Sequence, residues 1–162
     1  MMMVLLRMVL AVMLLGLLLV VAAIIANRVP LTAAPGMALR LKTYLTTHHA
    51  ATHGDATFPE LRSREYARSA AEVYAAARAS VIALGWVIIS DDVAQGRLHA
   101  MVISRLWRFK DDVFVAVEAT SAGARLNASA QSRVGRGDLG ANLRHIMDLN
   151  ATLDAHLINL HR

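Results

Sequence analysis

The chain contains no cysteine among its 162 residues. This absence excludes a disulfide framework, thiol catalysis, cysteine-ligated zinc and lipid attachment to a cysteine. The sequence also lacks a glycine-flanked serine elbow and a block of five or six like charges, so nothing specifically indicates a serine hydrolase or a nucleic-acid partner. The formal net charge of +5 is spread along the chain, which suits a solvated basic surface or attraction to anionic lipid head groups.

A long apolar run occupies the N-terminal end. Met8 to Ala26 are nineteen consecutive residues without a charge, close to the roughly 20 that a helix needs to cross a bilayer. A signal peptide is the alternative, but the run is long for one and no clear small-x-small cleavage site follows it. We therefore predict an anchor over residues 1–26 in a single-pass protein of a bacterial inner membrane. Basic residues flank the run on both sides: their count favours a cytoplasmic domain, whereas the signal-like order of the segment favours the outer side, where we place the domain.

Residues 27–57 are predicted to be a linker. Two prolines and a glycine interrupt regular structure in its first third, and one helical turn is expected around Leu39 to Leu45. The stretch also contains three histidines within six residues, His48, His49 and His53. A structural metal site requires a fourth ligand and fixed geometry, so we interpret these as solvated loop histidines and expect neither a metal nor a cofactor.

Residues 58–162 are predicted to form one domain. A strand is expected within Phe58 to Ala67, and Ser69 with Glu72 forms a capping box that starts a helix ending at Gly85. Alternating apolar and polar residues then predict four strands: Trp86 to Ser90, Gly96 to Trp107, Asp112 to Thr120 and Ala124 to Ser132.

A single amphipathic helix is predicted to end the domain. Its apolar stripe repeats at steps of three and four and contains one polar residue, Asn150, which we interpret as a tolerated or register-fixing core side chain in preference to a ligand contact. The stripe consists of Leu139, Leu143, Ile146, Asn150, Leu153, Leu157 and Leu160. The order β-α-β-β-β-β-α predicts an α+β fold, an antiparallel meander sheet with both helices on one face in a helix-grip-like layout.

Two motifs carry the candidate chemistry. In Trp107 to Asp112, aromatic and basic residues precede two acids, an arrangement typical of a turn as well as of a ligand contact. In Ser132 to Asn142, three glycines permit tight turns, Asp138 can cap the final helix, and free amides at the helix start could hold an anion. Alternatively this second stretch is a corner whose arginines pair with the nearby acids. The candidate ligand-binding residues are Lys110, Asp111, Asp112, Arg133, Arg136, Asp138 and Asn142.

The two motifs, together with Arg144 and Ile146, resemble the family catalogued as domain of unknown function 1499. The resemblance covers about Phe58 to Leu157, and both motifs occur in order at the family's spacing. Many members carry Cys-Pro and Asn-Cys segments before the first strand, where this chain has His53 to Pro59. The resemblance implies the domain but no known activity or cofactor.

The sequence leaves three functions open. We prefer a membrane-anchored, non-enzymatic accessory or binding module, whose ligand is a lipid between helix and sheet or an anionic group at Arg133 and Arg136. The first alternative is an enzyme that acts on an anionic substrate, with the two arginines as clamps and Asp111, Asp112 or Asp138 as acid or base. The second is a structural subunit of an envelope complex with an envelope protein partner, which requires a broad exposed apolar patch.

Overall fold

The structure, a computed structural model, describes residues 1–104 and 108–159. Two predicted positions lie outside these ranges. Trp107 is the first residue of the first motif and the last of a predicted strand, and Leu160 is the last residue of the predicted apolar stripe.

The chain begins with a 25-residue helix, α1, Met2–Ala26. It is long and apolar enough to cross a membrane, because 25 residues rise about 37 Å against a hydrocarbon core of about 30 Å. Its residues are exposed through Leu19, whereas Ile24 near its end is buried against the domain. Most of α1 therefore extends away from the domain, and only its last turns contact it.

Within the described residues, six strands form one antiparallel sheet. Their bounds are β1 His49–Ala51, β2 Arg64–Tyr66, β3 Val87–Asp92, β4 Arg97–Ile103, β5 Lys110–Thr120 and β6 Gly123–Ser132. The order across the sheet is β1-β6-β5-β4-β3, and β2 also pairs with β6. Strands β3 to β6 form the predicted meander, so the α+β class and the antiparallel sheet are confirmed.

Two helices, α3 Ala70–Ala83 and α4 Ala141–Asn159, pack on the same face of the sheet. The capping box that begins α3 is present, and Gly85 has the left-handed φ of 72° expected after its end. The interface between helices and sheet, in which the sequence suggested a lipid, is filled by fully buried side chains. These include Val73, Ala77, Val81, Val113, Leu126, Ile146 and Leu153.

The stretch predicted to be a linker contains regular structure. Helix α2 is Met37–Thr46, and β1 pairs with β6 from His49 opposite Gln131 to Ala51 opposite Ser129. Arg40 on α2 is fully buried; it donates to Tyr44 Oη at 3.0 Å and pairs with Glu60 at 2.9 Å. Residues 37–51 are thus packed on the domain, unlike the tether expected from the sequence.

The first predicted strand is also shorter than expected. Pro59–Leu61 forms a turn of 3-10 helix, because proline cannot donate to a strand ladder and favours the first turn of a helix. Only Arg64–Tyr66 pairs with β6.

Asn150 is a buried amide in the apolar stripe of α4. Its side chain is 1% exposed, and neither its nitrogen nor its oxygen has a hydrogen-bond partner in the described part of the chain. An unpaired buried polar group costs about 1 to 3 kcal/mol. We expect Asn150→Leu to raise the free energy of unfolding by about 1 kcal/mol, because it removes this cost at similar volume.

Urea unfolding of the full chain in detergent checks this expectation. Leu153→Ala, one turn away, is the control and is expected to lose about 2 to 5 kcal/mol through cavity formation. Destabilisation by Asn150→Leu would mean that the amide has a polar partner in the folded protein.

Candidate functional site

The second sequence motif forms the corner between β6 and α4, and Asp138 is its centre. Asp138 Oδ1 accepts from the Gly140 amide at 2.8 Å, and Oδ2 accepts from the Asn142 amide at 3.1 Å and from Asn142 Nδ2 at 2.7 Å. Burial raises the pKa of Asp138 although these hydrogen bonds oppose the shift. The carboxylate therefore caps α4 from within the protein, where a bound anion would otherwise accept from the amides.

Asn142 extends this cap to the sheet. Its side chain is 0% exposed, and Nδ2 lies 2.8 Å from His48 O and 2.9 Å from Ser132 Oγ. His48 directly precedes β1 and Ser132 ends β6. One amide group thus connects the first turn of α4 to two neighbouring strands.

The loop backbone is held by the end of α2. The Asp138 amide donates to Thr47 O at 3.0 Å, and the Leu139 amide donates to Tyr44 O at 2.9 Å. A Cβ added to Gly137 would lie 2.3 Å from Leu45 O. Glycine at this position is required by close backbone packing, and these amides are engaged within the protein.

The two acids of the first motif lie on opposite faces of the sheet, because neighbouring side chains of a strand alternate. Asp111 faces the helices, is 5% exposed, and pairs with His145 Nε2 at 2.9 Å. Burial opposes its charge, but hydrogen bonds from His145 and Ser132 outweigh burial and lower the pKa of Asp111. Asp111 is a buried member of the contact between β5 and α4.

Asp112 lies on the other face and pairs with Arg133. The guanidinium donates to both carboxylate oxygens at 2.7 Å, and His99 Nε2 lies 2.8 Å from Oδ1. The hydrogen bond from Arg133, with the contribution of His99, lowers the pKa of Asp112 to about 2. Arg133 is therefore paired within the protein. This is the arrangement expected if the glycine-rich stretch is a corner whose arginines pair with nearby acids.

The remaining predicted residues are exposed. Arg136 and Lys110 lie at the surface, and within residues 1–104 and 108–159 neither side chain makes an ion pair or hydrogen bond. The seven predicted residues thus form three separate groups. Asp111, Asp138 and Asn142 lie at or near the start of α4, Asp112 and Arg133 pair on the uncovered sheet face, and Lys110 and Arg136 are exposed.

A cavity that the sequence did not indicate lies on the uncovered sheet face. Its volume is about 580 Å³, and its walls include Ser90, Arg97, His99, Phe114, Asn127 and Ser129. The rings of His99 and Phe114 stack with centroids 4.3 Å apart. His99 and Phe114 are opposite each other in the β4–β5 register. The pairing of these two strands, together with the alternation of side chains between the two sheet faces, could have predicted this ring pair from the sequence.

Comparison with known proteins identifies a family whose function is unknown. A family described as protein of unknown function (DUF1499) matches residues 40–153. No curated protein matches the chain. The matched range begins on α2 and ends in α4, so it includes the corner, both acids of β5 and the uncovered sheet face.

Asp112→Asn tests the ion pair with Arg133. A lowered folded-state pKa means that the carboxylate stabilises the fold above its unfolded pKa of about 3.9, and that this contribution disappears as the pH falls toward 2. At pH 7 we expect a loss of about 1 kcal/mol, since Arg133 is partly solvated. The difference from the unchanged chain should shrink between about pH 4 and pH 2 in unfolding measurements.

The exposed carboxylate of Asp55 is the control for this pH series, and Asp55→Asn should change little. A loss for Asp112→Asn that is equally large at pH 2 would contradict an ionic contribution.

Gly137→Ala tests the role of the glycine-rich corner. Its added methyl would overlap the backbone of Leu45, so we expect a loss of about 1 to 3 kcal/mol in thermal or urea unfolding. Gly54→Ala is the matched control, because no atom lies within 4 Å of the added Cβ. Equal stability of the two variants would mean that α2 does not pack closely on the corner.

Proposed function

Because the chain belongs to DUF1499, a family of proteins of unknown function, we propose its function from its own structure. We propose a membrane-anchored, non-enzymatic module that binds a small ligand with an anionic group on the uncovered face of the sheet. The observation that carries this proposal is the cavity of about 580 Å³ on that face.

The anchor is α1. A helix of this length and apolarity satisfies its backbone internally and can remain in a bilayer. Its exposed portion, from Met2 to Leu19, contains one charged residue, Arg7, and has no other surface of the described chain to pack against. We propose a single-pass arrangement in a bacterial inner membrane with the domain on the outer side.

The cavity has the character of a small-molecule site. Its volume lies within the range of about 300 to 1,000 Å³ that is typical of such sites. The stacked His99 and Phe114 provide a flat apolar surface, and Ser90, Asn127 and Ser129 provide hydrogen-bonding groups around it. A ligand with a flat or acyl portion and several polar atoms matches these walls.

Arg97 is the reason to propose that the ligand carries an anionic group. It lines the cavity, its side chain is exposed, and it has no ion-pair partner in the described part of the chain. Asp92, opposite it on β3, already accepts from the Gln95 amide at 3.0 Å. An arginine fork binds carboxylate or phosphate with two parallel hydrogen bonds.

An enzyme acting on an anionic substrate is the second candidate, and the observation that favours it is the Asp111–His145 pair. A buried carboxylate that orients an imidazole is a common acid–base arrangement. This pair, however, lies on the helix side of the sheet, and His145 contacts Trp86 edge-on at 5.8 Å. The cavity is on the opposite face, which is why we prefer a binding function.

Binding by the full chain in detergent tests the preferred function. The probes are a short-chain phosphatidylglycerol and inorganic phosphate, and the measurement is the shift in melting temperature followed by titration calorimetry. We expect the lipid probe to bind, and Arg97→Gln to weaken its binding about tenfold or more, since a charge-assisted hydrogen bond contributes about 1.5 to 3 kcal/mol.

Arg125→Gln is the matched control, because Arg125 is on the same sheet face but pairs with Glu65 at 2.7 Å outside the cavity. Phe114→Ala should also weaken the lipid probe, whereas Ile82→Ala, an exposed position on α3, should not. Absence of binding by both probes, or equal binding by the Arg97 and Arg125 variants, would refute the proposed site. Capture of an envelope protein instead would favour the structural-subunit alternative.

A further inference from the structure

We propose that the domain makes a second contact with the bilayer that holds α1, through anionic lipid head groups at one end of the sheet. The contact surface, here called the juxtamembrane surface, consists of Arg28, Arg108, Phe109, Lys110, Val134 and Arg136. This inference rests on the membrane anchoring proposed above and is independent of the cavity.

These residues share one end of the sheet. Strand β4 ends at Ile103, β5 begins at Lys110 and β6 ends at Ser132, so in an antiparallel sheet the end of β4, the start of β5 and the end of β6 lie side by side. The Arg133 amide donates to Lys110 O at 3.1 Å. Residues 108–110 and the β6–α4 loop therefore lie at the same end of the domain.

The end of α1 is fixed to this same end. Asn27 Nδ2, one residue beyond α1, donates to Leu139 O in the β6–α4 loop at 2.9 Å. Ile24 is 5% exposed and belongs to one buried cluster with Val29 and Leu143, the latter in the first turn of α4. Because the helix leaves the domain here and is exposed through Leu19, a bilayer around α1 faces these loops.

The side chains on the surface match an anionic interface. Val134 is 72% exposed and Phe109 is 55% exposed. Arg108, Lys110 and Arg136 are exposed beside them, and Arg28 follows α1 directly. Apolar side chains flanked by cations are typical of segments that lie at the head-group layer of anionic membranes.

The cations of this surface are not neutralised by the acids nearby. Asp111 is buried against His145, Asp112 binds Arg133, and Asp138 caps α4. Exposed acids such as Asp92 and Glu118 lie toward the other end of the sheet, near the β3–β4 and β5–β6 turns. Arg28, Arg108, Lys110 and Arg136, which have no ion-pair partner in the described part of the chain, thus lie at the end from which α1 leaves, whereas Arg97 is an unpaired cation toward the other end.

Fluorescence in reconstituted vesicles tests the contact. The chain has no cysteine, so Val134→Cys allows a single environment-sensitive label in the full chain. In phosphatidylcholine vesicles containing phosphatidylglycerol, we expect its emission to shift to the blue and to be quenched by a lipid with a nitroxide near the head group. Val93→Cys is the matched control, since it is 69% exposed in the turn at the far end of the sheet.

Charge removal provides the second comparison. Arg108→Gln, Lys110→Gln and Arg136→Gln together should reduce the quenching at position 134 to the level at position 93. Removing three arginines away from this end and outside the cavity, with Arg68→Gln, Arg78→Gln and Arg125→Gln, should leave the quenching unchanged.

Flotation of the vesicles after an alkaline wash separates the two proposals. A chain that does not float has no membrane anchor, and the proposed function fails with this inference. A chain that floats but shows equal quenching at positions 134 and 93 overturns only the juxtamembrane contact. Quenching that is the same in pure phosphatidylcholine vesicles, or is unaffected by removal of the three cations, overturns recognition of anionic head groups.

Discussion

The carboxylate of Asp138 and the amide of Asn142 hold together the parts of this protein that are distant in sequence. Through them the first turn of α4 is connected to the end of β6 and to the residue before β1. The same corner receives the end of α2 through the Leu139 and Asp138 amides, and the end of α1 through Asn27. Sheet, long helix and apolar N-terminal helix therefore meet at one polar junction.

This junction changes the interpretation of the glycine-rich motif. A loop that binds an anion presents free amides at a helix start, whereas here Asp138 and the carbonyls of Tyr44 and Thr47 accept from the amides of the corner. Asp111 and Arg133 also have partners within the protein. In the described chain, these motif residues therefore stabilise the corner and do not line a vacant pocket. Among the predicted site residues, Lys110 and Arg136 remain exposed and without an ion-pair partner in the described part of the chain.

The sequence predicted elements whose signals are local. The Ser69 capping box, the alternation of β5 and the three-and-four spacing of α4 each arise from contacts within one segment, and each matches the structure. It did not predict β1, because a three-residue strand is defined only by its pairing with β6 about 80 positions later. The sequence predicts the strand from Asp112 and favours a turn before it, whereas β5 begins at Lys110, so Asp111 and Asp112 are both strand residues and separate onto two faces. His145 could not be assigned to Asp111 without knowing how α4 crosses the sheet.

Hydrogen exchange at the corner tests the central claim most directly, that the glycine-rich motif is a structural junction. The amides of Asp138, Leu139, Gly140 and Asn142 all donate within the protein. In the full chain without added ligand, we expect these four amides to exchange as slowly as those of β5 and β6, and to lose protection in Asp138→Ala. Rapid exchange of these amides, with protection appearing only when phosphate is added, would contradict the junction and identify an anion-binding loop instead.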